Sequence, residues 1–548
     1  MRFHPLLLAA SLLFASCTEY SVIHRITPVF RPSRISPSAV SKEEGQFTLA
    51  KEAGRRNPLL ALDDYLTVAR DAGDQLRKNP NDRNAAESYN FAVARVFSVI
   101  QQSKLDPWSQ PLVVPCESGD YLLDCRKDPR KAWNPGLYEF TPVDELDAEG
   151  IYVTGRMRKD GLGAPLVAVG KANNEEARAN FTMDKTYYGV TALATFQGRH
   201  CTLFLKDPLA EEMVSLDGHT YPLAADFTMP LAVMLAATNP KKMELNRLLH
   251  PQDYAETARI SRLQPYDPDK TVVLVIHGLK DSPATWAPMI NSLRADEKIR
   301  KNYQFWFYSY PSGYPYPYSA AILRRELDAV EKKFPLRKPM VVIGHSMGGC
   351  ISRLLITDTG DKLWNDYFGK PSEKVHLSAE SKKLCEEALI FKHRSEVGRV
   401  IFIAAPLKGS NLASGWPGRI GSWLIKAPLT IASVGNEAVK AMTTAGDSVS
   451  VSTIPNSVDT LSPTNRFVVT INKFPITPGI PYHTIMGDRG KGGNHDRTSP
   501  VQSDGIVPYW SSHMDGARSE LVVPSGHSAH QNPQAIAEVG RILKESTN

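Results

Sequence analysis

The sequence predicts an α/β fold with a mostly parallel central sheet in the C-terminal half, preceded by an α+β region made of a helical hairpin and a small β region. In the C-terminal half, short apolar runs alternate with helical patterns. In the N-terminal half, two helical patterns precede a strand-rich stretch. With 548 residues, 42% of them hydrophobic and 22% charged, the chain has enough apolar material for two or three domains.

The helical hairpin is predicted between residues 58 and 102. Two amphipathic patterns occur there, separated by the breaker sequence KNPND at 78–82. Apolar residues at helical spacing define one face of each helix: Leu59, Leu62, Leu66 and Ala69 in the first, and Tyr89, Val93, Val96 and Ile100 in the second.

The small β region follows the helices. The strings YGVTALATF (188–196) and HCTLFL (200–205) predict two strands joined as a hairpin through Gln197-Gly198-Arg199. No motif in this half of the chain indicates a particular chemistry. We therefore expect residues 58–262 to form an N-terminal helical and β domain of unassigned role.

The C-terminal domain is expected to span residues 263–548. It begins with the apolar run Thr271–Ile276, whose composition is typical of a strand buried on both faces of a parallel sheet. Strands and helices then alternate along the chain, with strands predicted at 303–310, 339–343 and 397–406 and helices at 320–333 and from Met347.

The motif Gly344-His345-Ser346-Met347-Gly348 lies between a predicted buried strand and a predicted helix. This G-x-S-x-G pattern in that context is typical of a nucleophile on a tight strand-to-helix turn. The backbone is crowded in such a turn, so the positions two before and two after the serine must lack bulk. We therefore expect Ser346 to be a catalytic nucleophile.

A serine hydroxyl needs a base that takes its proton, and after such a turn the acid and the base follow the serine in that order. Asp504, in the sequence SDGIVP, is the predicted acid because it is followed by a glycine and an apolar pair. Three further loop carboxylates compete with it: Asp488, Asp496 and Asp515.

The predicted base is His527 in the sequence GHSAHQNP, which precedes the final helical pattern. His530 lies three positions later and remains an alternative on the same loop. His513 is a third candidate, which we expect to line the site or to bond to its loop.

The oxyanion of a tetrahedral intermediate needs two N–H donors. One is expected from Met347, the residue after the nucleophile, and the other from Leu279 in the loop His277-Gly278-Leu279 after the first strand. His277 precedes the serine in the chain, so we expect it to organise this loop and not to act as the base.

Taken together, His277-Gly278-Leu279, GHSMGG (344–349), VIFIAAPLKGS (400–410), SDGIVP (503–508) and GHSAHQNP (526–533) resemble the α/β-hydrolase superfamily. The resemblance is to its esterase/lipase branch, which includes GPI-inositol-deacylase-like and triacylglycerol-lipase-like proteins, and it covers about residues 263–548. It implies an acyl-enzyme on Ser346, with His527 as base and then acid and Asp504 orienting it, and it implies no metal or other cofactor.

Residues 411–481 are a candidate cap or lid over the serine. The segment mixes glycines and prolines with apolar residues that could form an acyl site or complete an ordinary core: Trp416, Trp423, Leu424, Ile425 and Leu429.

The substrate expected from the resemblance is an ester or lipid small molecule. An acyltransferase, an amidase or a peptidase would use the same residues, and a surface-anchored binding protein without catalysis is a further alternative.

Residues 1–17 are typical of a signal peptide, with Arg2 before an apolar run too short to span a bilayer. The string Phe14-Ala15-Ser16-Cys17 resembles the lipobox of bacterial lipoproteins, which implies acylation of Cys17 and a lipid anchor in the bacterial cell envelope, at the outer membrane and facing the periplasm or the cell surface. The alternative is ordinary secretion, with cleavage at a different site and Cys17 unmodified. The polar residues up to 57 then form a tether.

Charge and cysteine usage limit the remaining partners. A formal charge of +6 is spread over the chain, and no basic run with interleaved aromatic residues indicates nucleic acid. Five cysteines beyond Cys17 give no disulfide framework or zinc pattern. A local disulfide between Cys116 and Cys125 is left open, and Cys350 is expected to be a small core residue.

Overall fold

The computed structural model describes residues 19–31, 40–117, 119–126, 135–171, 174–410, 457–489 and 503–546. The chain divides into two compact units, one of residues 1–238 with 294–301 and the other of residues 239–293 with 302–548. Both units contain buried apolar side chains. The domain limits expected from the sequence stay a prediction.

Three helices follow one another in the first unit: α1 (Val40–Arg56), α2 (Leu60–Lys78) and α3 (Arg83–Gln102). The predicted hairpin is α2 and α3, and the Asp82 side chain caps α3 by accepting from the Ala85 N–H. Helix α1 is not predicted by the sequence and lies inside the segment expected to be a tether. Its sequence is mostly polar and shows no clear apolar period, and Phe47 and Ala50 are buried.

The remaining elements of this unit are mostly short strands: β1 (Val22–Arg25), β2 (Leu112–Val114), β3 (Tyr121–Cys125), β4 (Tyr138–Pro142), β5 (Leu146–Glu149), β6 (Arg158–Lys159), β7 (Ala164–Gly170), α4 (Asn174–Ala179), β8 (Tyr187–Gln197), β9 (His200–Lys206), β10 (Met213–Leu216), β11 (His219–Pro222), β12 (Ala225–Asp226) and α5 (Met229–Thr238). Six of them form a sheet in the order β2-β3-β9-β8-β7-β4. The predicted hairpin is β8 and β9, paired antiparallel.

The C-terminal half alternates strands and helices: α6 (Pro240–Leu249), β13 (Arg259–Arg262), β14 (Thr271–Ile276), α7 (Ala287–Ala295), α8 (Glu297–Asn302), β15 (Tyr303–Ser309), α9 (Tyr316–Lys333), β16 (Met340–His345), α10 (Met347–Arg353), α11 (Gly360–Phe368), α12 (Ala379–Leu389), β17 (Val397–Ile403), α13 (Arg466–Ile471), β18 (Tyr482–Asp488), α14 (Tyr509–Ser512), β19 (Ser519–Pro524) and α15 (Pro533–Glu545).

Its seven strands form one sheet in the order β13-β15-β14-β16-β17-β18-β19. Every neighbouring pair is parallel except β13 and β15. The predicted mostly parallel sheet is confirmed. The central strands are almost wholly buried because helices cover both faces of such a sheet.

The strand order reverses beside β14. The chain runs from β14 to β15 on one side and then crosses to β16 on the other, with Ile276 paired to Gly344 at the strand ends. In open α/β sheets, ligands bind outside the carboxyl ends of the strands at such a switch point. The loops that follow β14 and β16 therefore meet where a site is expected.

Three further expectations concern cysteines, the lid and membrane spans. Cys116 and Cys125 are both free thiols, so no disulfide joins them, and Cys350 is buried in the core as expected. Of the predicted lid, residues 411–456 and all five of its apolar candidates lie outside the described residues. Among the helices the structure describes, none combines the length and apolar character needed to cross a bilayer.

Candidate active site

Ser346 lies in the turn between β16 and α10, at the carboxyl end of the sheet. Its backbone has φ +53° and ψ −125°, a conformation that non-glycine residues rarely adopt. The Ser346 N–H donates to the Ile403 carbonyl at 2.9 Å, which ties the turn to the neighbouring strand β17. A strained turn fixed in this way presents the hydroxyl beyond the end of the sheet.

The two glycines of the motif are required by space. A Cβ on Gly344 would lie 2.4 Å from the carbonyl oxygen of Gly348. A Cβ on Gly348 would lie 2.3 Å from the carbonyl oxygen of Ile276 and 2.5 Å from that of His277. All of these contacts are with main-chain oxygen atoms, which cannot move aside without disturbing the sheet or the helix after the turn. The expectation that these positions must lack bulk is confirmed.

The structure brings Ser346, Asp504 and His527 together. His527 Nε2 lies 2.8 Å from Ser346 Oγ, and His527 Nδ1 lies 2.7 Å from Asp504 Oδ2. Because an ionised carboxylate only accepts, the Nδ1–H donates to Asp504, and the Nε2 lone pair faces the serine hydroxyl. This is the orientation that a general base for Ser346 needs.

Asp504 is held by its own loop. Its side chain is 1% exposed. Its Oδ1 accepts the N–H of Ile506 at 2.8 Å and that of Val507 at 2.7 Å, while Oδ2 is left for His527. Backbone donors stabilise the ionised form of a buried carboxylate. The carboxylate is therefore fixed in position and can hold the imidazole in one tautomer.

The alternative acids lie elsewhere. Asp488 is the buried last residue of β18, and the Asp515 side chain is 97% exposed beside His513. Asp496 lies outside the described residues. Among the carboxylates that the structure describes, Asp504 is the one that bonds to His527.

The alternative bases also have other partners. His513 lies just after α14 and bonds to Glu520, Tyr509 and Asp515. His530 is buried against the ring of Trp286, with centroids 5.0 Å apart. The structure therefore brings His527, and neither of these, to Ser346.

The predicted oxyanion donors lie at the start of helix α10 and on the loop after β14. Met347 is the first residue of α10, so its N–H is one of the donors that a helix leaves without an internal acceptor. The loop that carries Leu279 passes close to the nucleophile, since a Cβ on the preceding Gly278 would lie 2.9 Å from the Cβ of Ser346. Both N–H groups thus belong to segments adjoining Ser346.

His277 organises the loop after β14. Its Nδ1–H donates to the Gly278 carbonyl at 2.9 Å, and its Nε2 accepts the Tyr310 N–H at 3.2 Å. The Tyr310 ring stacks on it, with centroids 4.3 Å apart. Burial lowers the pKa of His277 to about 4, so it stays neutral near pH 7. Its contacts are those of a structural histidine, as expected.

A second polar cluster, made of Asp281, His345 and His530, lies buried beside the triad. One donor atom of each lies within 4.8 Å of the other two. No fourth histidine, cysteine or carboxylate among the described residues joins the group.

Sequence reasoning assigned no role to Asp281 or His345. His345 belongs to the serine motif and Asp281 follows the oxyanion loop by two residues. The sequence shows a polar residue beside each predicted site segment, but it does not show which residue each of them contacts.

Residues 272–539 match the model of the alpha/beta hydrolase family. The matched range includes the parallel strands of the sheet, the serine turn and both of its partners. The C-terminal half is an α/β-hydrolase domain. None of the curated proteins matches the chain significantly.

Solved structures with similarity to part of this chain include lipases and a carboxyl esterase. The mature form of Bacillus licheniformis lipase BlEst2 is 16% identical, with a TM-score of 0.32 over 51% of this chain and 93% of that one. Staphylococcus hyicus lipase is 15% identical, with a TM-score of 0.29 over 52% of this chain and 94% of the lipase. The metagenomic carboxyl esterase MGS0156 is 12% identical, with a TM-score of 0.29 over 56% of this chain and 91% of the esterase. The fold assignment rests on the sheet order and the family model.

Proposed function

We propose that this protein is a serine hydrolase that cleaves carboxylic esters through an acyl-enzyme on Ser346. The observation that supports the proposal is the unbroken hydrogen-bond chain from Ser346 through His527 to the buried Asp504, with distances of 2.8 and 2.7 Å. The His527 side chain is 19% exposed, so the chain of bonds is reachable from solvent. A serine nucleophile with an oriented base is the arrangement that acyl transfer requires.

In the first half of the proposed reaction, Ser346 Oγ forms a bond to the ester carbonyl carbon while its proton passes to His527 Nε2. The carbonyl oxygen becomes an oxyanion, which accepts from the N–H groups of Leu279 and Met347. Collapse of this intermediate breaks the bond to the alcohol oxygen, which takes the proton from His527. Asp504 stabilises the imidazolium throughout and does not itself take the proton.

In the second half, water replaces the alcohol. His527 accepts a proton from the water as its oxygen attacks the acyl carbon, and the same two N–H groups again hold the oxyanion. The bond to Ser346 then breaks, and the proton returns to Ser346 Oγ. An acid is released and the free enzyme is restored. No metal or cofactor takes part in the proposed cycle.

The proposed subclass is the esterase/lipase branch, with an ester or lipid small molecule as substrate. Its support is the set of five ordered sequence motifs, which runs from His277 to Pro533. An acyltransferase would pass the acyl group to an alcohol in place of water, and an amidase or peptidase would accept a nitrogen leaving group. These alternatives use the same triad and are separated by the products that the enzyme forms.

The test is hydrolysis of p-nitrophenyl esters of increasing acyl length by the full chain in detergent, beside Ser346→Ala and His527→Gln. We expect kcat/KM to fall by about 10⁴-fold or more in both variants, because the triad acts as a unit. A fluorophosphonate should label the wild-type protein and leave Ser346→Ala unlabelled.

His513→Gln is the matched control, because it removes a histidine of the same domain that bonds to Glu520 and not to Ser346. It should keep its activity within about twofold, since surface substitutions away from a site have small effects. A wild-type protein that is folded, turns over no ester and resists the fluorophosphonate would exclude the proposed function. Labelling without hydrolysis would favour the acyltransferase or peptidase alternatives.

We also propose that Cys17 is acylated and anchors the protein to a membrane of the bacterial cell envelope, at the outer membrane. The support is the sequence alone: a short apolar run after Arg2, the string Phe14-Ala15-Ser16-Cys17, and a polar Pro/Ser-rich segment behind it. Stable anchoring needs more than one lipid chain, which a lipoprotein cysteine provides.

A further inference from the structure

Three segments that carry the proposed catalytic groups each contribute to one buried chain of contacts. Asp281 follows the oxyanion loop, His345 immediately precedes the nucleophile, and His527 lies on the loop before α15. His345 Nε2 lies 2.8 Å from the main-chain oxygen of His527, and His345 Nδ1 lies 3.5 Å from Asp281 Oδ2. The side chains of Asp281 and His345 are 10% and 5% exposed.

Asp281 also holds the oxyanion loop directly. Its Oδ2 accepts the Gly278 N–H at 3.3 Å, and its Oδ1 accepts the Ser282 N–H at 2.8 Å. The Gly278 peptide leads into Leu279, the proposed oxyanion donor. A single carboxylate therefore contacts both the backbone of that loop and the histidine that reaches His527.

The hydrogen bond of His345 has a fixed direction. A carbonyl oxygen only accepts, so His345 Nε2 carries a hydrogen and donates to the His527 carbonyl at 2.8 Å. His345 Nδ1 lies 3.5 Å from Asp281 Oδ2 and makes no hydrogen bond of its own within the part of the chain that the structure describes. The imidazole of His345 therefore lies between the Asp281 carboxylate and the main chain of His527.

Other groups around His345 shape this pair. The ring of His530 packs against it, with centroids 4.0 Å apart, and that of Trp286 meets it edge-on at 6.5 Å. Burial and then the charge of His345 lower the pKa of His530 well below its ordinary value, so His530 stays neutral. Burial alone would raise the pKa of Asp281, but the contact with His345 and the neighbouring His530 outweigh it and lower that pKa. The ionised Asp281 carboxylate thus lies beside the His345 ring.

We propose that Asp281 and His345 are positioning residues, whose buried side chains couple the oxyanion loop to the carbonyl of His527. The inference rests on the proposed function, because it assigns roles relative to Ser346 and His527. Like Asp504 and His527, Asp281 and His345 place a carboxylate beside an imidazole, but His345 Nε2 meets a backbone carbonyl in place of a nucleophile. A displacement of about 1 Å in either loop would cost about 100-fold in rate.

The kinetic test compares three variants of the full chain: His345→Leu, His345→Gln and Asp281→Asn. Leucine removes both donors of His345, whereas glutamine can place an N–H where Nε2 lies and keep the bond to the His527 carbonyl. We expect kcat to fall by about 100-fold in His345→Leu with KM within about threefold, and glutamine to restore most of the loss. Asp281→Asn should resemble His345→Leu, because the charge and one acceptor are lost.

His483→Gln is the matched control, since His483 is buried like His345 but lies near the amino end of β18, bonded to Ser519 and Arg399. It should keep kcat within about twofold. A folded His345→Leu with kcat within about threefold of wild type would overturn the proposal. So would equal losses in His345→Leu and His345→Gln at equal thermal midpoints, because the donor to His527 would then not matter.

A readout independent of activity separates this inference from the proposed function. In the imidazole ¹⁵N spectrum of the full chain at pH 7, the signals lost in His345→Gln identify His345. We expect its Nε2 to carry the hydrogen that the His527 carbonyl accepts. A bare Nε2 would overturn the proposal whether or not the protein hydrolyses esters. A wild-type protein without activity would refute the proposed function, while this spectrum would still test the bond from His345 to His527.

Discussion

At the residue scale, the turn that carries Ser346 depends on the absence of a side chain at Gly348. Alanine is the better helix former, but its Cβ would lie 2.3 Å from the Ile276 carbonyl oxygen. We expect Gly348→Ala to lower the free energy of unfolding by about 1–3 kcal/mol, the usual cost of overpacking, and to reduce ester hydrolysis. Urea denaturation and the p-nitrophenyl ester assay measure the two effects.

Gly73→Ala provides the comparison for this change. Gly73 lies in helix α2, and a Cβ added there would have nothing within 4 Å, so alanine should stabilise the protein by about 0.5–1 kcal/mol. Similar stability of Gly348→Ala and Gly73→Ala would show that the serine turn relaxes around a side chain.

His277 gives a prediction for the dependence of stability on pH. Its pKa is about 4 in the folded protein, against an ordinary value of 6.5. Between these values the unfolded chain binds a proton that the folded one does not, so the free energy of unfolding falls as pH drops from 6.5 to 4. The expected loss from this residue is about 3 kcal/mol, at about 1.36 kcal/mol per pH unit.

The variant His277→Gln removes this titration and can keep an acceptor for the Tyr310 N–H. We expect urea denaturation at pH 7 and pH 4.5 to show a smaller loss of stability in the variant than in the wild-type protein. Equal losses would mean that the buried imidazole takes up its proton without unfolding.

The sequence was informative for residues whose role is local. Ser346, Asp504 and His527 each lie in a short motif beside a predictable strand or helix, and the structure brings all three together. The bond from His345 to the His527 carbonyl joins residues 182 apart in the chain. Such a pairing depends on which loops the sheet order brings together, and no local pattern contains that information.

At the scale of elements, strands buried on both faces were predictable and others were not. Thr271–Ile276 is an unbroken apolar run, and the strand has those same bounds. The edge strands Arg259–Arg262 and Ser519–Pro524 were not predictable, because each has only one neighbour in the sheet and mixes polar with apolar residues. Helix α1 has a similarly mixed sequence, which gives no clear apolar period.

The docking of α13 on the helix after the nucleophile gives an element-scale prediction. Arg353, the last residue of α10, is 4% exposed and donates to the Asn472 side chain and to the carbonyls of Ile471 and Phe474. Arg353→Met would remove this donor from all three acceptors, of which the Ile471 carbonyl keeps the Phe474 N–H at 3.1 Å, so we expect the free energy of unfolding to fall by about 3 kcal/mol. Urea denaturation of the variant and the wild-type protein measures this loss of stability.

Arg325→Met is the control for this change, because its ion pair with Glu387 is half-exposed and should contribute less than about 1 kcal/mol. Arg353→Lys should recover only part of the loss, since an ammonium cannot match the fork of donors that the guanidinium offers. A loss no larger in Arg353→Met than in Arg325→Met would show that α13 is not held by these bonds.

At the scale of the whole molecule, the proposed chemistry and the proposed anchor lie far apart in the chain. Ser346 and its partners belong to the second compact unit, whereas Cys17 precedes the described residues. The two proposals are therefore separable, and a variant that loses the anchor should keep its esterase activity. Five other cysteines are present, and both Cys116 and Cys125 are free thiols, which supplies a matched control.

We expect Cys17→Ser to move the protein from the membrane fraction to the soluble fraction of the cells that produce it, and to abolish incorporation of an alkyne-labelled palmitate. Loss of several acyl chains, at about 0.8 kcal/mol per buried methylene, removes the free energy that would hold the protein at the membrane. Cys116→Ser should behave as wild type in both measurements. The ester assay on the soluble Cys17→Ser protein should give an unchanged kcat/KM for a short-chain ester, because such a substrate is delivered from water. A Cys17→Ser protein that stays in the membrane fraction would contradict the anchor, and palmitate lost from Cys116→Ser would move the acylation site away from Cys17.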